Sequence, residues 1–176
     1  MAGLGTRAGD DIFFHDRRQR AMKRNHCMGL EPYNILIVED EEAHAALAER
    51  AIRKGGHINR IDIVRDGEEA LDYLFHRGEY AEVSKFPTPG LIILDIKLPG
   101  IDGIEVLKQI KNDPNLKKIP VIMLTTSKRE EDIASSYLNY ANSYLTKPVG
   151  FREFEAKVMQ INAYWMEINE PPVVNE

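Results

Sequence analysis

Four short apolar runs in this chain each lead into polar side chains. Ile35-Leu36-Ile37-Val38 precedes Glu39-Asp40, Leu91-Ile92-Ile93-Leu94 precedes Asp95, Val121-Ile122-Met123-Leu124 precedes Thr125-Thr126, and Ser143-Tyr144-Leu145-Thr146 precedes Lys147-Pro148. A carboxylate at such a position can attack a phosphoryl group and carry it as an aspartyl phosphate. Asp95 is the candidate nucleophile. A metal at Asp40, the ammonium of Lys147 and the hydroxyl of Thr125 would neutralise or hydrogen-bond the three equatorial phosphoryl oxygens during in-line transfer. Glu39, Asp40 and Asp95 together need a cation, because two unit charges about 4 Å apart repel by roughly 4 kcal/mol at an effective dielectric of 20. Oxygen-only ligands at strand ends suit Mg2+. The five histidines are scattered, with no His-Glu-x-x-His or Cys-x-x-Cys spacing, which argues against zinc. The plainer alternatives are that Thr125 and Thr126 only cap a helix, and that Lys147 is a surface charge.

These residues converge only if the runs are neighbouring strands. Apolar runs of four or five residues, bounded by turn formers and separated by helix-length amphipathic stretches, read as parallel strands buried on both faces. Ala43, Leu47, Ala51 and Ile52 carry a first helix that Gly55-Gly56 stops, and Ile61, Ile63 and Val64 a second strand. Asp66-Gly67 then turns into a helix with Ala70, Leu71 and Leu74. His76 to Gly90 is a long connection for an αβ loop, marked by Gly78, Pro87, Pro89 and Gly90. Asp102 and Glu105 form a capping pair for a helix with Ile104, Leu107 and Ile110, ended by Asp113-Pro114. Ile133, Tyr137 and Leu138 mark helix four, and a last helix starts near Phe151. Five strands alternating with five helices predict an α/β, doubly wound parallel sheet with helices on both faces. Ligands of such a sheet bind outside the carboxyl ends of its strands.

A chain of 176 residues, 43% hydrophobic, can bury one sizeable core. The formal net charge of −5 and pI near 5.6 disfavour nucleic acid and anionic membrane as partners. Lone Cys27 and the lack of an export signal or spanning segment predict a cytoplasmic protein. Residues 1–32 mix glycines with a basic stretch and read as a poorly ordered extension, followed by a domain over 33–165 and a tail over 166–176.

The segments Ile37-Val38-Glu39-Asp40, Leu94 through Gly103, Leu124-Thr125-Thr126-Ser127 and Tyr144-Leu145-Thr146-Lys147-Pro148 resemble the receiver domain of two-component response regulators, from about Tyr33 to Trp165. That resemblance implies a flavodoxin-like fold with strand order 2-1-3-4-5. It implies that Asp95 accepts a phosphoryl group from a histidine kinase, and that Asp95, Asp40 and the Lys97 backbone carbonyl hold Mg2+, with Glu39 bound directly or through water. Thr125 and Tyr144 would form the switch, and Lys147 would contact the phosphoryl group beside what is usually a cis Lys-Pro bond. Lys97, two residues past the acceptor, could approach the phosphoryl group, pair with the pocket acids, or stay a solvated lysine.

A narrower resemblance, in Leu124 through Ile133, Ala141 through Val149 and Tyr164-Trp165, is to the stand-alone regulators of phytochrome-type sensor histidine kinases. The residues beyond Pro148 leave room for one helix and a tail, so the expected output is protein contact. The alternative is a phosphorelay intermediate or a phosphate sink. A phosphotransferase of the haloacid dehalogenase type would want an acid where Lys97 stands. A flavodoxin-like cofactor binder would suffer repulsion from Glu39-Asp40-Glu41-Glu42. No Gly-x-Gly-x-x-Gly follows a strand, which removes dinucleotide binding.

Phe151, Phe154, Val158, Ile161, Trp165 and Ile168 form one apolar stripe on the last helix, longer than a sheet usually needs. It predicts a homodimer through helix four, strand five and helix five. Tyr137, Tyr140 and Met166 could enlarge the contact.

Overall fold

Both faces of the sheet are covered, which is why its strands can be apolar without interruption. The computed structural model describes residues 34–55 and 60–169, except the side chains of Met166 and Glu167. The expected extension, Cys27, Gly56 and most of the tail lie outside the described residues. In chain order the elements are β1 (Ile35–Val38), α1 (Glu42–Lys54), β2 (Ile61–Val64), α2 (Gly67–Leu74), β3 (Leu91–Leu94), α3 (Gly103–Asn112), β4 (Val121–Thr125), α4 (Glu130–Leu138), β5 (Ser143–Thr146) and α5 (Phe151–Ala163). All neighbouring strands are parallel and their order is β2-β1-β3-β4-β5.

Strand side chains alternate between the faces. Leu36, Val38, Ile92, Leu94 and Met123 pack with Ala70, Leu71 and Leu74 of α2 and Val106, Leu107 and Ile110 of α3. Ile35, Ile37, Ile93, Ile122 and Leu124 pack on the other face with Ala48, Ala51 and Ile52 of α1 and Phe154, Val158 and Ile161 of α5. The order reverses between β1 and β3, so the crevice opens at the carboxyl ends of those two strands.

Several expectations are corrected by the packing. In α1 the buried face is Ala45, Ala48, Ala51 and Ile52, while Ala43 is exposed. Small residues there bring the helix close to the sheet. Gly55 caps α1 with φ −65°, so its role is not a left-handed turn. A Cβ at Gly55 would lie 2.0 Å from the Asn162 amide nitrogen, and that side chain donates 3.3 Å to the Ile52 carbonyl. The connection after α2 is structured by Gly78–Tyr80 and by Tyr73, Tyr80 and Phe86: Phe86 meets both tyrosine rings in a T-shaped arrangement, and the two tyrosines are tilted against each other.

Helix α4 departs most from its reading. Its buried residues are Asp132 and Ser136, Ile133 is half-buried, and Tyr137 and Leu138 are exposed. Buried polar groups survive there because each is hydrogen-bonded: Ser136 Oγ donates 2.7 Å to the Asp132 carbonyl. The α5 stripe also divides. Phe154, Val158 and Ile161 are buried, Trp165 packs partly on the same core, and Phe151 and Ile168 remain exposed. A wider π-helical turn, Tyr164–Ile168, carries Trp165 back toward the domain.

Candidate functional site

The carboxyl ends of β1, β3, β4 and β5 present Glu39-Asp40, Asp95, Thr125 and Lys147. Asp95 leaves β3 with its N–H bonded to the Val38 carbonyl at 3.0 Å, which ties the acceptor strand to the acidic end of β1. Lys147 leaves β5 with its N–H bonded to the Thr125 carbonyl at 2.7 Å. Parallel registry therefore delivers all four ends to one rim. Gly103 adds a constraint of its own. A Cβ there would sit 1.9 Å from the Asp95 carbonyl oxygen, so only glycine lets the start of α3 abut the loop that carries Asp95. Asp102 caps that helix, accepting 3.0 Å from the Glu105 N–H as the sequence pairing predicts.

The ammonium of Lys147 is the hub. It donates 2.6 Å to Asp95 Oδ2 and also bonds Glu39 Oε2, with all three side chains buried. Asp95 Oδ1 accepts from the Lys97 N–H at 3.2 Å. Glu39, Asp40 and Asp95 each place a carboxylate oxygen within 4.8 Å of the others, and Asp40 alone is exposed. At that separation each carboxylate pair repels by about 3.5 kcal/mol at an effective dielectric of 20, which one lysine offsets only in part. Glu39 Oε1 is buried without a hydrogen-bond partner. Burial pushes the Glu39 carboxyl above its ordinary range, against the pull of Lys147. An orphaned carboxylate oxygen in an all-oxygen set with an open side at Asp40 fits a hard divalent cation.

Sequence reasoning named Glu39, Asp40, Asp95, Thr125 and Lys147, and the structure brings their strand ends together. Lys97 contributes its backbone to Asp95, while its side chain is exposed and makes no ion pair among the described residues. Thr125 is fully buried, and its Oγ1 accepts from the Ser127 N–H at 3.3 Å. Tyr144 is turned inward: the ring packs against the core and its hydroxyl donates 3.1 Å to the Ser127 carbonyl. Burial raises that phenol above its ordinary value. The Lys147–Pro148 bond is trans, contrary to the expected cis form; the two isomers of an X-Pro bond differ by only about 0.5–1 kcal/mol, so the dipeptide does not dictate the choice.

Residues that sequence reasoning passed over also border the site. His44, in the first turn of α1, holds Nδ1 3.0 Å from Glu41 Oε2 and 3.6 Å from Glu39 Oε1, and its ring stacks on Phe154. Its i,i+3 spacing from Glu41 was the available signal. Ser127 stands inside a quoted motif, yet its role as a junction shows only in its contacts.

Such a rim defines a class: residues 35–159 match the response regulator receiver domain, and the chain belongs to that family. It is 43% identical over 143 residues to the probable methanogenesis regulatory protein FilR2 of Methanothrix harundinacea, spanning 81% of this chain and 89% of that protein. The crystal structure of the Mn2+-bound form of Rcp1, a response regulator of Synechocystis, superposes with TM-score 0.76 at 39% identity, covering 81% of this chain and 100% of that one. The phosphorylated cyanobacterial phytochrome response regulator RcpA gives TM-score 0.76 at 40% identity over 80% of this chain and 99% of its own. The chain thus resembles stand-alone regulators of phytochrome signalling over almost their whole length, and it is a response regulator of two-component signalling.

Proposed function

We propose that Asp95 is the phosphoacceptor. The observation that carries this reading is the buried Lys147 ammonium, which joins Asp95 Oδ2 to Glu39 while Glu39 Oε1 is left without a hydrogen bond. An Asp95 carboxylate oxygen forms the new P–O bond as the P–N bond of a kinase phosphohistidine breaks, and the imidazole leaves. Lys147 is placed to follow the incoming negative charge, and the Thr125 hydroxyl to donate to a phosphoryl oxygen. Glu39, Asp40, Asp95 and the Lys97 carbonyl would hold Mg2+. When bound, that ion supplies charge neutralisation for the phosphoryl oxygens. The relative crystallised with Mn2+ supports a divalent ion of this kind.

The partner is a sensor histidine kinase of phytochrome type, a reading supported by the resemblance to RcpA and Rcp1. A phosphotransfer profile that favours another kinase class would replace it. The output is a phosphorylation-dependent protein contact, with Thr125 and Tyr144 as the switch. Self-association through α4, β5 and α5 is part of the same proposal. In its support, β5 is an edge strand and Tyr137, Leu138 and Met159 stand exposed on the flanking helices. Because Trp165 leans on the core, Leu138→Arg tests the contact better: it should leave a monomer in sedimentation, and a mass unchanged from wild type in every state would sink this interface.

Acetyl phosphate labelling read by intact mass tests the acceptor. Wild type should gain one phosphoryl group, and Asp95→Asn should fold and stay unlabelled. Label mapped to Asp66 or Asp102, or label gained in EDTA, refutes the assignment.

A further inference from the structure

Ser127 is hydrogen-bonded through three different atoms. Its N–H donates 3.3 Å to Thr125 Oγ1, its carbonyl accepts 3.1 Å from the Tyr144 hydroxyl, and its own hydroxyl donates to Asp132 Oδ2. Asp132 is then gripped twice by Arg129, with Nε on Oδ2 and Nη2 on Oδ1, both at 2.9 Å. Arg129 returns to the junction, its N–H donating 3.3 Å to Ser127 Oγ. Both sides of the proposed switch therefore meet on one residue, and that residue is tied to a carboxylate buried on the inner face of α4.

We propose that the Ser127–Asp132–Arg129 cluster is a latch that sets the position of the β4–α4 connection and so holds Tyr144 inward. This deepens the switch reading and rests on it. Asp132 is a positioning residue: it acts through Ser127 and Arg129. The cluster is closed electrostatically, because one carboxylate meets one guanidinium in the bidentate geometry that gives such pairs their directionality. It also explains why α4 buries an acid where an amphipathic helix would bury an apolar side chain. A Thr125 hydroxyl turning toward a phosphoryl oxygen must pull on a segment whose far end is held by this carboxylate. Latch strength then decides how much of that pull reaches Tyr144.

The test uses the full chain with 3-fluorotyrosine incorporated, the Tyr144 resonance assigned by Tyr144→Phe, and no phosphoryl donor present. Asp132→Asn keeps the shape and removes the charge, and Ser127→Ala keeps the backbone bonds and removes the hydroxyl. Both should move the Tyr144 fluorine resonance toward that of a solvent-exposed tyrosine, and Ser127→Thr should restore it. Arg129 is largely exposed, so Arg129→Ala provides a folded variant if the buried changes do not fold. It should move the resonance the same way by less. A Tyr144 resonance that stays at its wild-type position in the folded variants, while Asp95 still takes label from acetyl phosphate, overturns the latch alone. A wild-type chain that takes no label overturns the underlying site reading and the latch with it.

Discussion

Replacing Gly103 by alanine should damage phosphorylation more than it damages the fold. The added Cβ would stand 1.9 Å from the Asp95 carbonyl oxygen and 2.9 Å from both the Asp95 carbonyl carbon and the Ile96 Cα. Every one of these neighbours is backbone. Reaching ordinary contact near 3.4 Å therefore requires a shift of about 1.5 Å between the start of α3 and the loop carrying Asp95. Overpacking of this kind costs about 1–3 kcal/mol, and alanine's helix preference over glycine returns up to about 1 kcal/mol, leaving a net loss of at most about 3 kcal/mol. The rate is more sensitive. Misplacing a reacting group by about 1 Å can cost on the order of 100-fold, so labelling by acetyl phosphate should slow by about that factor while most molecules remain folded. Intact mass against time gives the rate, and urea unfolding gives the stability. Gly150→Ala is the matched control, since nothing lies within 4 Å of its Cβ and its φ is −88°. Labelling of Gly103→Ala at the wild-type rate with an unchanged urea midpoint would refute the argument that this close approach positions the acceptor.

Lys147→Met should destabilise the protein by about 3–5 kcal/mol, because it strands two buried carboxylates. Adding Glu39→Gln should recover part of that loss, and strictly additive effects in urea would count against a shared ion cluster. Lys111 gives a pH prediction. Burial pushes its ammonium down to about 8, although it donates 2.7 Å to the Ile119 carbonyl and 3.1 Å to Asn142 Oδ1. Its folded value lies below the ordinary 10.5, so between these limits the unfolded chain binds more protons and stability should rise with pH. Burial and phenol-to-carboxylate hydrogen bonds raise Tyr73 and Tyr80, which lose stabilisation above about pH 10 and pull the other way. The difference between wild type and Lys111→Gln isolates the lysine, and a difference that stays flat between pH 8 and 10.5 would contradict its burial cost. Trp165→Ala should lower the melting temperature, since the ring packs on the α1–α5 side of the core; a variant as heat-stable as wild type would show that contact to be unimportant.

The family, the five strands and the strand-end residues were legible before any coordinates. A strand buried on both faces has no polar side, so Ile35 to Val38, Leu91 to Leu94 and Val121 to Leu124 could be little else between helix-length segments. Polar residues at their carboxyl ends follow, because a parallel sheet collects those ends on one rim. The order β2-β1-β3-β4-β5 came through the resemblance, since periodicity does not say which strand lies beside which.

Tertiary structure decided what depends on partners distant in sequence. Helical spacing shows which residues share a face of α1 or α4, but not which face the sheet covers. Hence Ala45 and Ala48 are buried where Ala43 was expected, and Asp132 and Ser136 where Tyr137 and Leu138 were expected. Gly55 read as a helix stop and Gly103 only as the end of a family-like segment, yet each serves a close approach, to Asn162 and to the Asp95 carbonyl. Ser127 as a junction, and the inward Tyr144 it holds, exist only once β4, α4 and β5 are packed together. Local chemistry determines elements and residue types, because those forces act within a few residues. Which polar groups meet in the interior is settled by long-range packing, because a buried donor or acceptor must find its partner wherever the folded chain supplies one.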